Sequence, residues 1–194
     1  EVTMFSPFHV PGEIGGVANY SNLLGKNIDM NHIMLHRIKT GRRFSYSRKN
    51  RNSKIWFILN YIEYFYFTLV DSLNFFGNRN LKNSQILHFN TSLLMMPLLR
   101  DLIYIFISRK MGKKTILFIR GWRPENYNFI KSNSFFNSLI CSLINNTDLV
   151  IVLGDIFKNK ILELGYKGQI HTTTTMTKCS NFSPVGKLFN DPIK

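Results

Sequence analysis

The chain of 194 residues is long enough for one large domain or two small ones, with a sizeable core. Its 44% hydrophobic and 14% aromatic residues exclude a disordered or fibrous protein. With 25 Lys and Arg against 11 Asp and Glu, the net charge is +14, which favours polyanionic partners: nucleic acid, nucleotide phosphates or an anionic membrane surface.

Short apolar runs alternate with segments of helical periodicity along the chain. The apolar runs predict six buried strands, over 2–6, 33–38, 86–89, 115–119, 149–153 and 170–174. The helical patterns cover 17–26, 54–76, 97–111, 127–144 and 155–164. Apolar strands that alternate with helices form parallel sheets covered on both faces. We therefore predict an α/β fold, a Rossmann-like three-layer sandwich with a mainly parallel sheet.

In such sheets ligands bind beyond the carboxyl ends of the strands, near the topological switch point. The loops that follow the predicted strands are therefore the candidate binding segments. They are 8–16, 90–93, 120–125 and 154–155.

The segment 11–16, with the sequence Pro-Gly-Glu-Ile-Gly-Gly, joins the first strand to the first helix. Gly15 and Gly16 let the backbone approach a ligand closely, and the helix that begins at Val17 offers free N–H groups. This arrangement predicts a phosphate or diphosphate site. The dinucleotide-binding fingerprint and the P-loop motif are both absent. A tight turn that needs a positive φ is the structural alternative.

Arg120 and Gly121 follow the fourth predicted strand, where a phosphate group of a ligand would lie. A guanidinium stays charged and can bind phosphate through two hydrogen bonds. The alternative is an ion pair between Arg120 and a carboxylate such as Glu125. Arg123 is a second candidate in the same loop.

The histidines and cysteines show no metal-ligand spacing. His9 lies in the loop that faces the predicted cleft, whereas His36 and His88 fall inside strands and are interpreted as satisfied core or sheet residues. Cys141 and Cys179 are interpreted as reduced thiols. The sequence contains no paired carboxylates or nucleophile motif, so hydrolase and metalloenzyme functions have no support.

The segment 37–54 holds eight Lys or Arg and no acid, and the helix predicted over 54–76 holds nine aromatic residues. Asn60, Glu63, Asp71 and Asn74 recur at three- and four-residue steps and predict one polar stripe on an otherwise apolar helix. Two interpretations stay open. The helix could lie on an anionic membrane surface, or it could pack into the sheet behind a solvated loop. No nucleic-acid motif accompanies the charge, so no nucleic-acid partner is expected.

The order of these features resembles family 4 of the retaining glycosyltransferases, which have the GT-B fold. The resemblance is carried in chain order by the glycine-rich loop and first helix (11–20), a strand with a polar end (86–91), a strand that ends in His-Gly or His-Asp in the family (113–121), a strand and helix that close the domain (148–165), and an F-x-P segment (182–184). It implies that 1–180 is the N-terminal, acceptor-binding half of a GT-B enzyme and that 181–194 begins the interdomain linker. The donor-binding half, with its Glu-x7-Glu motif, should begin after Pro184, so the chain would lack that half and be inactive alone.

The resemblance also implies a function. It implies transfer of a sugar from a nucleotide-sugar to a glycan or lipid-linked acceptor, with retention of anomeric configuration and without a metal or other cofactor. The donor diphosphate would lie against Gly15, Gly16 and Val17. The acceptor would contact His9, Asn19, Tyr20, Asn90, Thr91, Arg120, Gly121 and Arg123. Arg120, which we assign to the catalytic position, stands where the family has histidine, and an arginine cannot act as a base but could hold a phosphate.

The alternative function is that of a non-catalytic basic α/β module that binds nucleotide, nucleic acid or an anionic membrane.

The first residues do not resemble a signal peptide, and the most apolar stretch, 55–70, falls short of the ~20 residues of a spanning helix. We expect a cytoplasmic protein, free or peripheral on the inner face of the cell membrane.

Overall fold

The structure is a computed structural model that describes residues 1–6, 20, 23–24, 33–40, 54–92, 95–121 and 124–174. Several segments singled out above lie outside these residues: the loop 8–16, most of the predicted helix 17–26, most of the basic segment and the tail 181–194. Residues 20, 23 and 24 are helical, as predicted for that segment.

Six parallel strands form one sheet. They are β1 (Val2–Ser6), β2 (Leu35–Lys39), β3 (Ile86–Ser92), β4 (Lys114–Gly121), β5 (Leu149–Val152) and β6 (Gln169–Thr172), in the spatial order β2-β1-β3-β4-β5-β6. Every pairing between these strands is parallel, so the predicted α/β class is confirmed and the sheet is parallel throughout its described strands.

The described helices connect these strands. They are α1 (Lys54–Gly77), α2 (Arg79–Asn83), α3 (Met95–Lys110), α4 (Pro124–Ser132), α5 (Ser134–Ile144) and α6 (Asp155–Glu163). The single helix predicted over 127–144 is wrong, because Asn133 adopts an extended conformation and its side chain accepts a hydrogen bond from the Phe136 N–H. An asparagine in this position caps a new helix rather than continuing the old one. The short helix α2 was not predicted.

The two faces of the sheet bury different side chains. One face carries the apolar core, in which Phe5 and Leu117 pack with Phe75 of α1 and Ile105 of α3. On the other face the Tyr20 ring meets the Phe118 ring edge-on, with centroids 5.1 Å apart. Helical residues therefore cover both faces, as the three-layer prediction requires.

The strand order reverses between β1 and β3. From β1 the chain moves outward to β2, whereas from β3 it moves the other way through β4, β5 and β6. Adjacent β1 and β3 thus flank the topological switch point, the place where open α/β sheets bind ligands. Two predicted loops begin later than expected, since 90–92 belong to β3 and 120–121 belong to β4.

Of the polar stripe predicted for α1, the side chains of Asn60 and Glu63 lie outside the described ones, and the other two residues differ in burial. Asp71 is 2% exposed and faces the interior between Phe67 and Phe75, while Asn74 is exposed. An ion pair explains this placement: the Arg100 Nη1 atom lies 2.8 Å from Asp71 Oδ2. No helix in the described part of the chain has both the length and the apolar character needed to cross a bilayer.

Candidate functional site

Polar side chains meet on the face of the sheet opposite the apolar core. In β3 and β4 the register pairs Asn90 with Phe118. Since alternate residues of a strand share a face, His88 and Asn90 lie on the same side as Phe118 and Arg120. The site lies toward the carboxyl end of these strands, beside the switch point.

Arg120 lies against two aromatic rings that also touch each other. Its guanidinium carbon lies 4.0 Å from the centroid of the Tyr20 ring and 5.0 Å from that of the Phe118 ring. In contacts of this kind the face of the ring attracts the guanidinium and fixes the orientation of the arginine side chain. Arg120 is 9% exposed, and burial lowers its pKa, with Tyr20 acting in the opposite direction. An arginine nevertheless keeps its charge at pH 7.

His88 lies on the same face of the sheet as Arg120. Its ring stacks on Phe118 with centroids 6.2 Å apart, and the residue is 7% exposed. Burial, assisted by the positive charge of Arg120, lowers the pKa of His88 to about 4. The imidazole is therefore neutral at pH 7 and presents one N–H donor and one acceptor nitrogen.

Two side chains in the site have unused hydrogen-bonding capacity. Neither the Oδ1 nor the Nδ2 atom of Asn90 has a hydrogen-bond partner among the described residues, although Asn90 is 3% exposed. The same holds for the Nε2 atom of His88. Among the described residues His88 is therefore not a satisfied core residue, and that interpretation is wrong. The Nε2 atom of His36 lies 3.8 Å from the Oε2 atom of Glu1.

Thr91 is directed away from this cluster. It pairs with Ile119 of the core face, and its hydroxyl hydrogen-bonds to the buried Asp101 carboxylate. Gly121 ends β4 next to Ser92, close to Arg120 in the chain. Glu125 is exposed at the start of α4 and forms no ion pair among the described residues, so the alternative pairing of Arg120 with Glu125 is not found.

The structure brings together three of the predicted site residues, Tyr20, Asn90 and Arg120. Thr91 and Gly121 are described but lie apart from this cluster. The remaining predicted contacts with donor or acceptor fall on residues outside the described ones: His9, Gly15, Gly16, Val17, Asn19 and Arg123. In the described segments no group of three His, Cys, Asp or Glu side chains is arranged to hold a metal ion.

His88 is the site residue that sequence reasoning set aside. A signal was present, because His88 and Asn90 have the same parity in β3 as Phe118 and Arg120 have in β4. Reading that alternation correctly requires the register between the two strands, which their sequences do not supply.

The chain matches no model of a known protein family, and no characterised protein matches it significantly in sequence. Function is therefore inferred from the fold and from the geometry of the site.

The site combines one fixed cation with neutral donors and acceptors. The guanidinium suits a phosphate or diphosphate group, and the Asn90 amide can both donate to and accept from a hydroxyl. The neutral His88 ring adds a hydrogen-bonding nitrogen without adding a second charge. This set of groups is suited to a phosphorylated ligand that also carries hydroxyl groups.

Proposed function

We propose that the chain is the acceptor-side domain of a retaining glycosyltransferase that moves a sugar from a nucleotide-sugar to a lipid-diphosphate-linked acceptor. The supporting observation is the buried Asn90 amide, which lacks a partner among the described residues, on the same face as the Arg120 guanidinium. A buried polar group without a partner costs stability, so its presence favours a bound polar ligand.

Each side chain has a distinct role in this proposal. Arg120 binds the diphosphate of the acceptor, and the Tyr20 ring keeps the guanidinium in its orientation. Asn90 orients the sugar hydroxyl that is to be glycosylated, because an amide offers both a donor and an acceptor to one hydroxyl group. His88 hydrogen-bonds the acceptor as a neutral ring.

In the proposed reaction the acceptor oxygen bonds to the anomeric carbon while the bond from that carbon to the donor diphosphate breaks. The acceptor proton passes to the departing diphosphate oxygen, so the transfer needs no base from the protein. An arginine rather than a base at position 120 is consistent with that route. The negative charge on the departing group would be met by Gly15, Gly16 and the helix that the sequence predicts from Val17.

Binding of farnesyl diphosphate, a soluble short-chain prenyl diphosphate, tests this assignment by titration calorimetry. We expect Arg120→Met to weaken binding at least about tenfold, because a charge-assisted hydrogen bond contributes about 1.5–3 kcal/mol. Asn90→Leu should weaken the binding of a prenyl diphosphate that carries a sugar more than it weakens the binding of farnesyl diphosphate.

The matched control is Arg79→Met, which removes the same charge from an exposed position on α2. It should leave the affinity unchanged. Equal affinity in Arg120→Met and wild type, equal losses in the two arginine variants, or no binding by the wild-type chain would each contradict the proposal.

A second candidate is a non-catalytic basic module, which the net charge of +14 favours. Such a module would bind duplex DNA with an affinity that falls steeply with salt, because binding releases counterions. DNA binding that survives Arg120→Met, with no affinity for prenyl diphosphate, would favour this candidate. A second α/β half with a Glu-x7-Glu motif encoded beyond Lys194 would favour the enzyme.

A further inference from the structure

Helix α1 exposes an apolar face along most of its described length. Six large side chains are 52–73% exposed: Ile62, Phe65, Tyr66, Leu69, Leu73 and Phe76. Their spacing of three and four residues places them on one side of the helix. From Ile62 to Phe76 the stripe is about 21 Å long at 1.5 Å per residue. We call it the α1 apolar face.

The opposite side of α1 is already used in the fold. Phe67 and Phe75 are buried, and the Phe75 ring stacks on Tyr104 of α3 at 4.4 Å between centroids. Ser72 is hydrogen-bonded to the Tyr104 hydroxyl at 2.7 Å. Because these contacts fix the rotation of the helix, the apolar face cannot turn inward without breaking them.

The sequence on both sides of this helix carries charge of mainly one sign. Between residues 30 and 100 the sequence holds eleven Lys or Arg and two acids, Glu63 and Asp71. Asp71 is buried in its ion pair with Arg100, so it does not neutralise the surface. Eight of the eleven cations belong to the segment 37–54, and Arg51 is three residues from Lys54 at the start of α1, within about 11 Å of it along the chain.

We infer that the α1 apolar face docks on an anionic lipid bilayer, with the helix lying in the interface. An amphipathic helix with aromatic residues on its apolar side and cations beside it has the chemistry of such a surface. Anionic headgroups attract nearby Lys and Arg side chains electrostatically. A second copy of the chain fits less well, because two chains that each carry a net charge of +14 repel each other.

Helix α1 packs on the apolar-core face of the sheet, opposite the face that carries the candidate site. Arg100 binds both Asp71 of α1 and Asp101, which is bonded to Thr91 near the end of β3. Asp71 of α1 is therefore linked through Arg100 and Asp101 to Thr91 near the carboxyl end of β3. Docking does not depend on the proposed transferase activity.

Sedimentation of the full chain with vesicles tests the inference. One set contains phosphatidylcholine alone and the other about one-third phosphatidylglycerol. The wild type should bind the anionic vesicles, and added salt should weaken the binding. The triple variant Phe65→Gln, Leu69→Gln, Leu73→Gln should lose binding at least about tenfold, because each substitution removes apolar area that the bilayer would bury.

The matched control is the double variant Phe135→Gln, Ile156→Gln, which removes side chains that are 69% and 75% exposed on α5 and α6. It should bind like the wild type. Circular dichroism and the thermal midpoint should be unchanged in both variants, since all five side chains are exposed.

Three results would overturn the inference. The first is equal vesicle binding by the triple and control variants, and the second is equal binding to neutral and anionic vesicles. The third is no vesicle binding together with a dimer, seen by analytical ultracentrifugation, that the triple variant abolishes. A failure of diphosphate binding alone would count against the proposed function and not against docking.

Discussion

The guanidinium carbon of Arg120 lies 4.0 Å from the centre of the Tyr20 ring, although the two residues are 100 positions apart in the chain. Tyr20 belongs to the connection between β1 and β2, and Arg120 is near the end of β4. This contact joins the segment after the first strand to the central strands of the sheet. It also fixes the cation of the candidate site before any ligand binds.

The Arg120–Tyr20 contact should contribute measurably to stability. Tyr20→Leu should lower the free energy of unfolding by about 0.5–2 kcal/mol, because the guanidinium loses its aromatic face. Tyr20→Phe should retain most of that energy, since the ring remains. Urea denaturation measures both, and a double-mutant cycle with Arg120→Met isolates the pair. A coupling energy near zero would show that the two side chains are adjacent without interacting.

His88 should make stability depend on pH. Its pKa is about 4 in the folded chain against an ordinary value of 6.5, so the unfolded state binds the proton more tightly. The contribution of the neutral His88 side chain to the free energy of unfolding is at its full value above pH 6.5 and is lost as the pH falls from 6.5 to 4. At pH 5 the loss should be about 2 kcal/mol relative to pH 7.5.

Urea unfolding at pH 7.5, 6 and 5 checks this pH dependence, and His88→Gln is the control because glutamine does not titrate. The variant should lose less stability than the wild type over that range. Identical pH profiles, or an NMR titration of His88 with a midpoint near 6.5, would contradict the prediction.

Arg100 should be one of the residues most sensitive to substitution. It bridges two carboxylates, at 2.8 Å from Asp71 Oδ2 and 2.8 Å from Asp101 Oδ1, and both acids are buried. Arg100→Met should destabilise the chain by about 3–5 kcal/mol, because it leaves buried charges without a partner. Thermal or urea denaturation measures the loss.

The control for Arg100 is Arg109→Met, at a position where the side chain is 42% exposed and pairs with Asp148. Exposed ion pairs contribute about 0–1 kcal/mol, so the loss should be much smaller. If both substitutions cost the same, the buried network would not be the reason for the sensitivity of Arg100.

Gly165 should be sensitive to the addition of a side chain. Its φ is +87°, and a Cβ atom there would lie 2.7 Å from the Cys141 sulfur. Gly165→Ala should therefore cost more than the ~1–2 kcal/mol of left-handed backbone strain alone. Gly112→Ala is the matched control, because its φ is +73° but no atom lies within 4 Å of the added methyl group.

Cys141→Ala should remove the steric part of the penalty at Gly165. The double variant should then be more stable than the sum of the two single losses predicts. Strict additivity in thermal denaturation would show that the sulfur is not what excludes the methyl group.

The patterns along the chain determined the order and type of the elements. Apolar runs such as 115–119 and 149–153 read directly as buried strands, because strands covered on both faces lack polar alternation. The predicted ends of the strands and helices agreed less well with the structure. Local sequence did not indicate that Arg120 would continue β4, or that Asn133 would divide one predicted helix into two.

Tertiary structure alone decided which face each side chain occupies. The sequence showed that Asp71 and the aromatic residues of α1 shared a helix, but burial of Asp71 depends on Arg100, 29 positions away. The same is true of His88, whose pKa is set by burial and by Arg120 of the neighbouring strand. Local periodicity reports the shape of a segment, whereas burial, charge pairing and strand register depend on partners that only the folded chain brings within reach.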